Sequence, residues 1–262
     1  MDKTRDMPSD EHWVATEPSP RHVRAVVGGT VVADSKRVLL LREAGHVGVY
    51  YFPMDDVGMD LFVPTDKHTH CPYKGDASYW SIDVNGHRSE NAVWAYEDPL
   101  PERVDIKGHV AFYWDKLDHW FEEDEEVFVH PRDPHHRVDA CRSRRHVRVV
   151  VGGETVAESD RPVLVFETGL PVRYYLPKQD MRLDLLTSTD TVTRCPYKGQ
   201  ARYWSVTAGG STVEDAGWSY TYALPAVSSI AAHICFFQER VDEVWVDGEQ
   251  VERPQTPWSK KR

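Results

Sequence analysis

The chain has 262 residues, with 31 Lys plus Arg against 42 Asp plus Glu, a formal charge of −11. That balance argues against general DNA or RNA binding, which needs a basic surface against the phosphate backbone, though it leaves room for a local basic pocket. Hydrophobic residues at 40% and aromatics at 11% exclude a wholly disordered chain. The longest apolar runs, such as Val38–Leu41, fall far short of the roughly 20 residues of a membrane helix. The opening stretch MDKTRDMPSDEHW lacks the apolar segment of a secretory signal. Cys71, Cys141, Cys195 and Cys235 form no C-x-x-C pair, which argues against a disulfide scaffold or a common zinc site. The expectation is a soluble, cytoplasmic protein with no membrane and no nucleic-acid partner.

Reading in chain order is reading one domain twice. Shifted by 124 residues, Arg21–Trp114 aligns without a gap on Arg145–Gln238, and 43 of the 94 positions are identical. A period this long marks two whole domains rather than solenoid units. Residues 1–20 carry three prolines and no periodicity and read as a flexible arm. The first domain is expected over 21–130, a linker over 131–144, the second domain over 145–250 and a tail over 251–262. Acidic residues followed by Pro131 and Pro134 motivate the linker.

Within a copy, Val23 to Ala33 reads as strand, turn, strand, with Gly28-Gly29 supplying the positive φ of a two-residue hairpin. Val38–Leu41 and Val163–Phe166 read as buried strands. Tyr50-Tyr51-Phe52 and Tyr174-Tyr175-Leu176 stop at Pro53 and Pro177. Ala77 to Val84 alternates and meets Asn85-Gly86, replaced by Gly209-Gly210 in the second copy. Val93–Tyr96 and His109–Tyr113 supply two more strands. Only Asp115–Glu126 has moderate helical character. About eight short strands per copy, rich in Val, Tyr and Trp, predict an all-β domain.

Chemistry-bearing residues cluster in the shared segments. In Cys71-Pro-Tyr-Lys-Gly75 and its copy Cys195–Gly199, Pro and Gly define a tight turn that projects Tyr73 and Lys74 (Tyr197 and Lys198). A lysine so placed binds an anion as a point charge, or else caps a strand end. Cys71 and Cys195 are nucleophile candidates if an ammonium lowers the thiol pKa, or else small buried hydrophobes. Glu43 and Asp56, matched by Glu167 and Asp180, could meet as a general acid/base pair or as Mg²⁺ ligands, or else pair with Arg24 and Arg148 or cap turns. His109 and His233 start the last shared strand and are proton-transfer candidates, or else hydrogen-bonded structural residues. His68-x-His70-Cys71 has metal-ligand character, but the second copy reads Val192-x-Arg194-Cys195, which argues against a shared metal.

Tyr51, Tyr79 and Trp94, with Tyr175, Tyr203 and Trp218, are core or the walls of a pocket for a planar ring or a cation. Alternation puts Tyr79 and Trp80 on opposite faces and Trp94 and Tyr96 on one. The reading favoured by a small margin is an anionic or planar ligand held by these aromatics, with Lys74/Lys198 and Arg24/Arg148 fixing its charge. The alternatives are an enzyme using Cys195 and Lys198 with Glu167 or His233, and a structural interaction module. No cofactor is expected.

The residues V-G-G-x-x-x-A-x-S (Val27–Ser35), Glu43, Y-x-P-x-x-D (Tyr51–Asp56), T-x-CPYKG-x-A-x-YWS (Thr69–Ser81) and W-x-Y (Trp94–Tyr96) resemble the family called domain of unknown function 427. All recur at Val151–Ser159, Glu167, Tyr175–Asp180, Thr193–Ser205 and Trp218–Tyr220. The chain looks like the tandem, bacterial form of that family. The resemblance implies two tandem β-tent-like domains of antiparallel sheets, and the internal repeat adds the expectation of pseudo-two-fold symmetry, a monomer with an internal pseudo-dimer. The family also carries a nucleotidyltransferase-like label, which implies paired carboxylates with a metal on an α/β fold; under that label the alternative is metal-dependent nucleotidyl transfer on Glu167 and Asp180, the one reading that requires Mg²⁺.

Overall fold

Paired turn residues set the hairpins. Gly28 and Gly29 have φ of +55° and +74°, and Asn85 and Gly86 have +52° and +76°, the double positive φ of a type I′ turn. Gly152-Gly153 and Gly209-Gly210 repeat the pattern. A Cβ on Gly152 would lie 2.2 Å from the Ala208 carbonyl oxygen, whereas one on Gly28 would stand 3.2 Å from that of Val84. The two hairpin tips therefore approach more closely in the second copy, where glycine replaces Asn85.

The computed structural model describes residues 12–259, and the chain divides into two units, Met1–Asp133 and Pro134–Arg262. The first contains β1 (Val14–Pro18), β2 (Val23–Val27), β3 (Thr30–Ser35), β4 (Leu39–Glu43), β5 (Val49–Pro53), β6 (Phe62–Cys71), β7 (Gly75–Val84), β8 (His87–Ala95), β9 (His109–Phe112), β10 (His119–Glu122) and β11 (Glu125–Glu126). They form a seven-stranded antiparallel sheet, β1-β4-β5-β9-β8-β7-β6, and a four-stranded one, β11-β10-β2-β3. The second contains β12 (Val138–Arg142), β13 (Val147–Val151), β14 (Glu154–Ser159), β15 (Val163–Glu167), β16 (Arg173–Pro177), β17 (Leu186–Cys195), β18 (Gly199–Ala208), β19 (Ser211–Ala223), β20 (His233–Phe236), β21 (Glu243–Val246) and β22 (Glu249–Gln250). Its sheets run β12-β15-β16-β20-β19-β18-β17 and β14-β13-β21-β22. Among the described residues helix is confined to short 3-10 turns. Each domain is all-β with two antiparallel sheets. Among the described residues no helix is long and apolar enough to cross a membrane.

Three expectations need correction. The arm expected over 1–20 contributes β1, which pairs with β4 from Val14↔Glu43 to Pro18↔Leu39; residues 1–11 lie outside the described residues. The linker expected over 131–144 contains β12, which pairs with β15 in the equivalent register. Asp115–Glu126 is not helical: after a 3-10 turn at Trp114–Lys116 it forms the β10–β11 hairpin on β2. Alternation explains that outcome, because β10 turns Trp120 and Glu122 inward. Glu122 accepts a hydrogen bond from the Tyr50 hydroxyl at 2.8 Å and pairs with Arg21 at 3.1 Å, so this carboxylate is part of the interior.

The large sheet is apolar on both faces, and strand period two sorts its residues between them. Leu40, Tyr50, Phe52, Ile82, Val93, Val110 and Phe112 join Val23, Ala25 and Val32 in one cluster that also takes in the small sheet. Leu41, Tyr51, Tyr79, Tyr96 and Ala111 form a second cluster, with Cys71, Trp94 and Tyr113 packed against it. Trp80 packs on the first cluster while Tyr79 belongs to the second, and Trp94 and Tyr96 share a side, as alternation requires. Full burial of side chains such as Tyr51 and Phe52 stabilises by about 1.5–3 kcal/mol each. The second domain repeats both clusters.

Candidate functional site

The second cluster of each domain is where the shared polar residues converge. The CPYKG bend joins β6 to β7, closed by a Lys74 N–H to Cys71 carbonyl bond of 3.2 Å and by Leu100 N–H donating to the Lys74 carbonyl at 3.1 Å. Gly75 has φ of +104°, a left-handed conformation that an L side chain resists. The bend separates its two side chains. Tyr73 is exposed, whereas Lys74 is only 6% exposed.

Lys74 Nζ donates to Glu43 Oε2 at 2.6 Å, and His12 Nε2 donates to Glu43 Oε1 at 3.0 Å. The His12 ring stacks on Tyr73 at 3.8 Å between centroids. The second domain rebuilds this group: Lys198 pairs with Glu167, His136 Nε2 lies 3.1 Å from Glu167 Oε1, and His136 stacks on Tyr197 at 4.4 Å. β1 and β12 position the two histidines by pairing at Val14↔Glu43 and Val138↔Glu167. Burial pushes the Glu43 carboxyl up, but Lys74 and then His12 more than offset that, and its pKa lies below the usual value.

The aromatic residues lie beside this group. Trp94 Nε1 donates to the Tyr51 hydroxyl at 3.3 Å, and Trp218 Nε1 to the Tyr175 hydroxyl at 2.9 Å. Tyr79 and Tyr203 hydroxyls pair with Thr69 and Thr193, both at 2.9 Å. Burial holds the phenols of Tyr51, Tyr96, Tyr175 and Tyr220 well above their ordinary pKa, so all four stay protonated at neutral pH. Cys71 and Cys195 are free thiols at the edge of these groups. Cys235, fully buried, replaces Ala111, and burial pushes its thiol up to about 12.

The remaining sequence candidates lie elsewhere. Asp56 accepts from Ser35 at 2.6 Å and from Arg37 Nε and Nη2 at 3.2 and 2.5 Å. Asp180 repeats this with Ser159 at 2.7 Å and Arg161 at 3.0 and 2.7 Å. The two carboxylates of each proposed pair are thus held by different cations, and the expected acid/base or Mg²⁺ pairing of Glu43 with Asp56, or Glu167 with Asp180, is not assembled. The Ser and Asp of the shared motifs instead fasten the end of the small-sheet strand β3 (or β14) to the turn after β5 (or β16). Arg37 and Asp56 shift each other's pKa apart, Asp56 downward, chiefly through this hydrogen bond.

Arg24 and Arg148 do not reach the CPYKG bend. They stand on the small sheets over Phe121 and Trp245, at 5.2 and 5.1 Å, because β2 and β13 turn Val23, Ala25, Val147 and Val149 inward instead. His109 and His233 hydrogen-bond the Lys107 and Ala231 carbonyls at 3.1 and 2.8 Å. They pair with Pro53 and Pro177 in the sheet register, beyond the aromatic residues of those strands.

Sequence reasoning missed His12 and His136. They keep the 124-residue offset but stand before the ungapped segment, in a stretch with few other identities. It also missed two cations. Lys67 Nζ lies 4.2 Å above the Tyr79 ring and 5.6 Å from that of Tyr113. Arg173 stands where the first domain has Val49, and binds Glu239 through two bonds of 2.8 and 2.6 Å. Its guanidinium lies 5.6 Å from both Trp218 and Trp258.

A comparison with functionally curated proteins finds no significant match. The sequence profile described as Domain of unknown function (DUF427) matches residues 15–123 and again 139–247. Each match spans one two-sheet domain with its CPYKG bend and its Glu–Lys pair, and the chain belongs to the DUF427 family as a tandem of two copies.

Proposed function

We propose that the protein binds a small planar anion, seated on the aromatic wall of its first domain. Tyr79, Trp94 and Tyr113 make the wall, and Lys67 supplies a cation above it with no carboxylate partner among the described residues. Trp94 and Tyr113 are half-buried, so a ring can stack there while its acidic substituent meets the ammonium. The observation that carries this reading is the contrast with the second domain. There the equivalent Trp218 and Phe237 are buried, Arg173 packs over both while held by Glu239, and Trp258 packs against Phe237. Lys74 and Lys198, the earlier candidates for the anion, are already neutralised by Glu43 and Glu167.

The test is quenching of tryptophan fluorescence by a panel of aromatic carboxylates and nucleoside monophosphates, on the full chain. Binding is expected with Lys67→Ala weakening it about tenfold, the size of one charge-assisted hydrogen bond. No binding across the panel, or unchanged affinity in Lys67→Ala, would overturn the reading.

The His12–Glu43–Lys74 group beside the Cys71 thiol favours a second, catalytic reading, because a histidine held by a carboxylate has the arrangement of an oriented general base. Its signature is turnover of a bound ligand that disappears in Glu43→Gln while affinity persists.

A further inference from the structure

The other end of the second domain holds a cavity of about 540 Å³, lined by Arg142, Arg144, Arg161, Gln179, Ser229 and His233 among others. Arg142 and Arg144 have no ion-pair partner among the described residues. Arg161 is held in place by its two bonds to Asp180. His233 Nδ1 faces the Ala231 carbonyl at 2.8 Å, a contact that requires the proton on Nδ1 and leaves Nε2 free.

The first domain has the same frame with other chemistry. Arg161, Pro177 and His233 correspond to Arg37, Pro53 and His109, but Arg142 and Arg144 correspond to Pro18 and Pro20, and Gln179 and Ser229 to Asp55 and Asp105. Two prolines become arginines and two aspartates become uncharged, a swing of four charges toward positive. In a chain of net charge −11, a concave surface with two guanidiniums that lack an ion-pair partner among the described residues, beside a third held by Asp180, is a locally positive site. Arginine presents paired N–H groups matched to phosphate oxygens. The volume falls within the ~300–1,000 Å³ of small-molecule sites.

We infer that this cavity of the second domain is a phosphate-binding site for a small phosphorylated metabolite, separate from the aromatic wall of the first domain. Arg142 and Arg144 contact the phosphate, Arg161 is the fixed member of the set, and Ser229 and Gln179 offer neutral hydrogen bonds where the first domain carries repelling carboxylates.

The experiment is calorimetric titration of the full chain with inorganic phosphate and with pyrophosphate. Pyrophosphate is expected to bind at one site per chain, more tightly than phosphate and less tightly as salt is raised. The double variant Arg142→Ala/Arg144→Ala should lower its affinity at least about tenfold, with the melting temperature without ligand unchanged because both side chains are exposed. Arg144→Lys, which keeps the charge but not the fork, should fall between. Absence of pyrophosphate binding, or binding indifferent to the double variant, would overturn the inference. Lys67→Ala should leave this titration unaltered, so failure here is distinguishable from failure of the aromatic-wall reading.

Discussion

The two domains share a frame and differ in what stands on it. In the first, the wall of Tyr79, Trp94 and Tyr113 is half-open under the ammonium of Lys67, with that of Lys116 also 5.4 Å from the Tyr113 ring. In the second, Arg173 enters from the position of Val49, Glu239 closes on it, and Trp258 of the tail lies against the Arg173 guanidinium and Phe237. At the other end the contrast reverses: prolines and aspartates in the first domain face arginines, a glutamine and a serine in the second. Residues identical in both copies build the frame, including the Ser–Asp–Arg fastening and the His–Glu–Lys group. Tyr79, Trp94 and Arg161 have identical counterparts too, so what sets each candidate ligand site apart is the differing positions around them. Identity between repeats therefore points first to shared architecture, and divergence to specialised chemistry.

The sharpest way to break this comparison is to remove the cation that closes the second wall. Arg173→Ala leaves Glu239, whose side chain is 0% exposed, without its counter-ion. Losing one partner of such a pair costs about 3–5 kcal/mol. Arg173→Met combined with Glu239→Gln should recover most of that, because it removes both charges and keeps the volume. Urea denaturation of the full chain measures both. A loss under about 1 kcal/mol in Arg173→Ala, the range of an exposed pair, would show that the cap is solvated and that the second wall is as open as the first.

The frame was legible in the sequence and its filling was not. Gly28-Gly29, Asn85-Gly86 and the alternation through Tyr79, Trp80, Trp94 and Tyr96 depend on local backbone chemistry, and these elements form where the pattern places them. The acidic stretch through Glu122 carried a helical reading because period two over four residues is a short signal, and only pairing with β2 decides it. Edge strands β1 and β12 draw their order from β4 and β15, so their own composition says little. The carboxylates were found, but not their partners: Glu43 meets Lys74 and Asp56 meets Arg37 across 31 and 19 residues of chain, distances over which spacing carries no information.

A smaller effect separates a structural lysine from an anion-binding one. Lys74→Ala leaves Glu43 with His12 alone, and a buried acceptor that loses one donor costs about 1–3 kcal/mol. Lys198→Ala should behave alike if the two groups are equivalent. Unchanged stability in either would return that lysine to ligand binding. The same pair predicts acid sensitivity. The folded Glu43 pKa lies below its ordinary value of 4.5, so the folded state releases this proton more readily than the unfolded chain. Its contribution is fully present above that ordinary value and is lost as pH falls through the folded one. Asp56, Asp180 and Glu239 are shifted the same way and add to the loss. In Glu43→Gln the fall of stability below about pH 4.5 should be shallower than in the parent chain. An unaltered acid limb would mean that Glu43 does not titrate differently on folding.

The smallest effect addresses the fastening that both domains retain. Arg37 and Arg161 are each more than half exposed while holding Asp56 and Asp180, so Arg37→Ala and Arg161→Ala should each cost no more than about 1 kcal/mol. On stability alone the two variants should be indistinguishable. Ligand binding should separate them, because only Arg161 has Arg142 and Arg144 beside it, while Arg37 stands among Pro18, Pro20 and Asp55. Pyrophosphate affinity should therefore fall in Arg161→Ala and hold in Arg37→Ala. Equal affinity in both would confine the arginine to the fastening. A split at matched stability would assign it a second task in the second domain, acquired through changes at its neighbours rather than at the arginine itself.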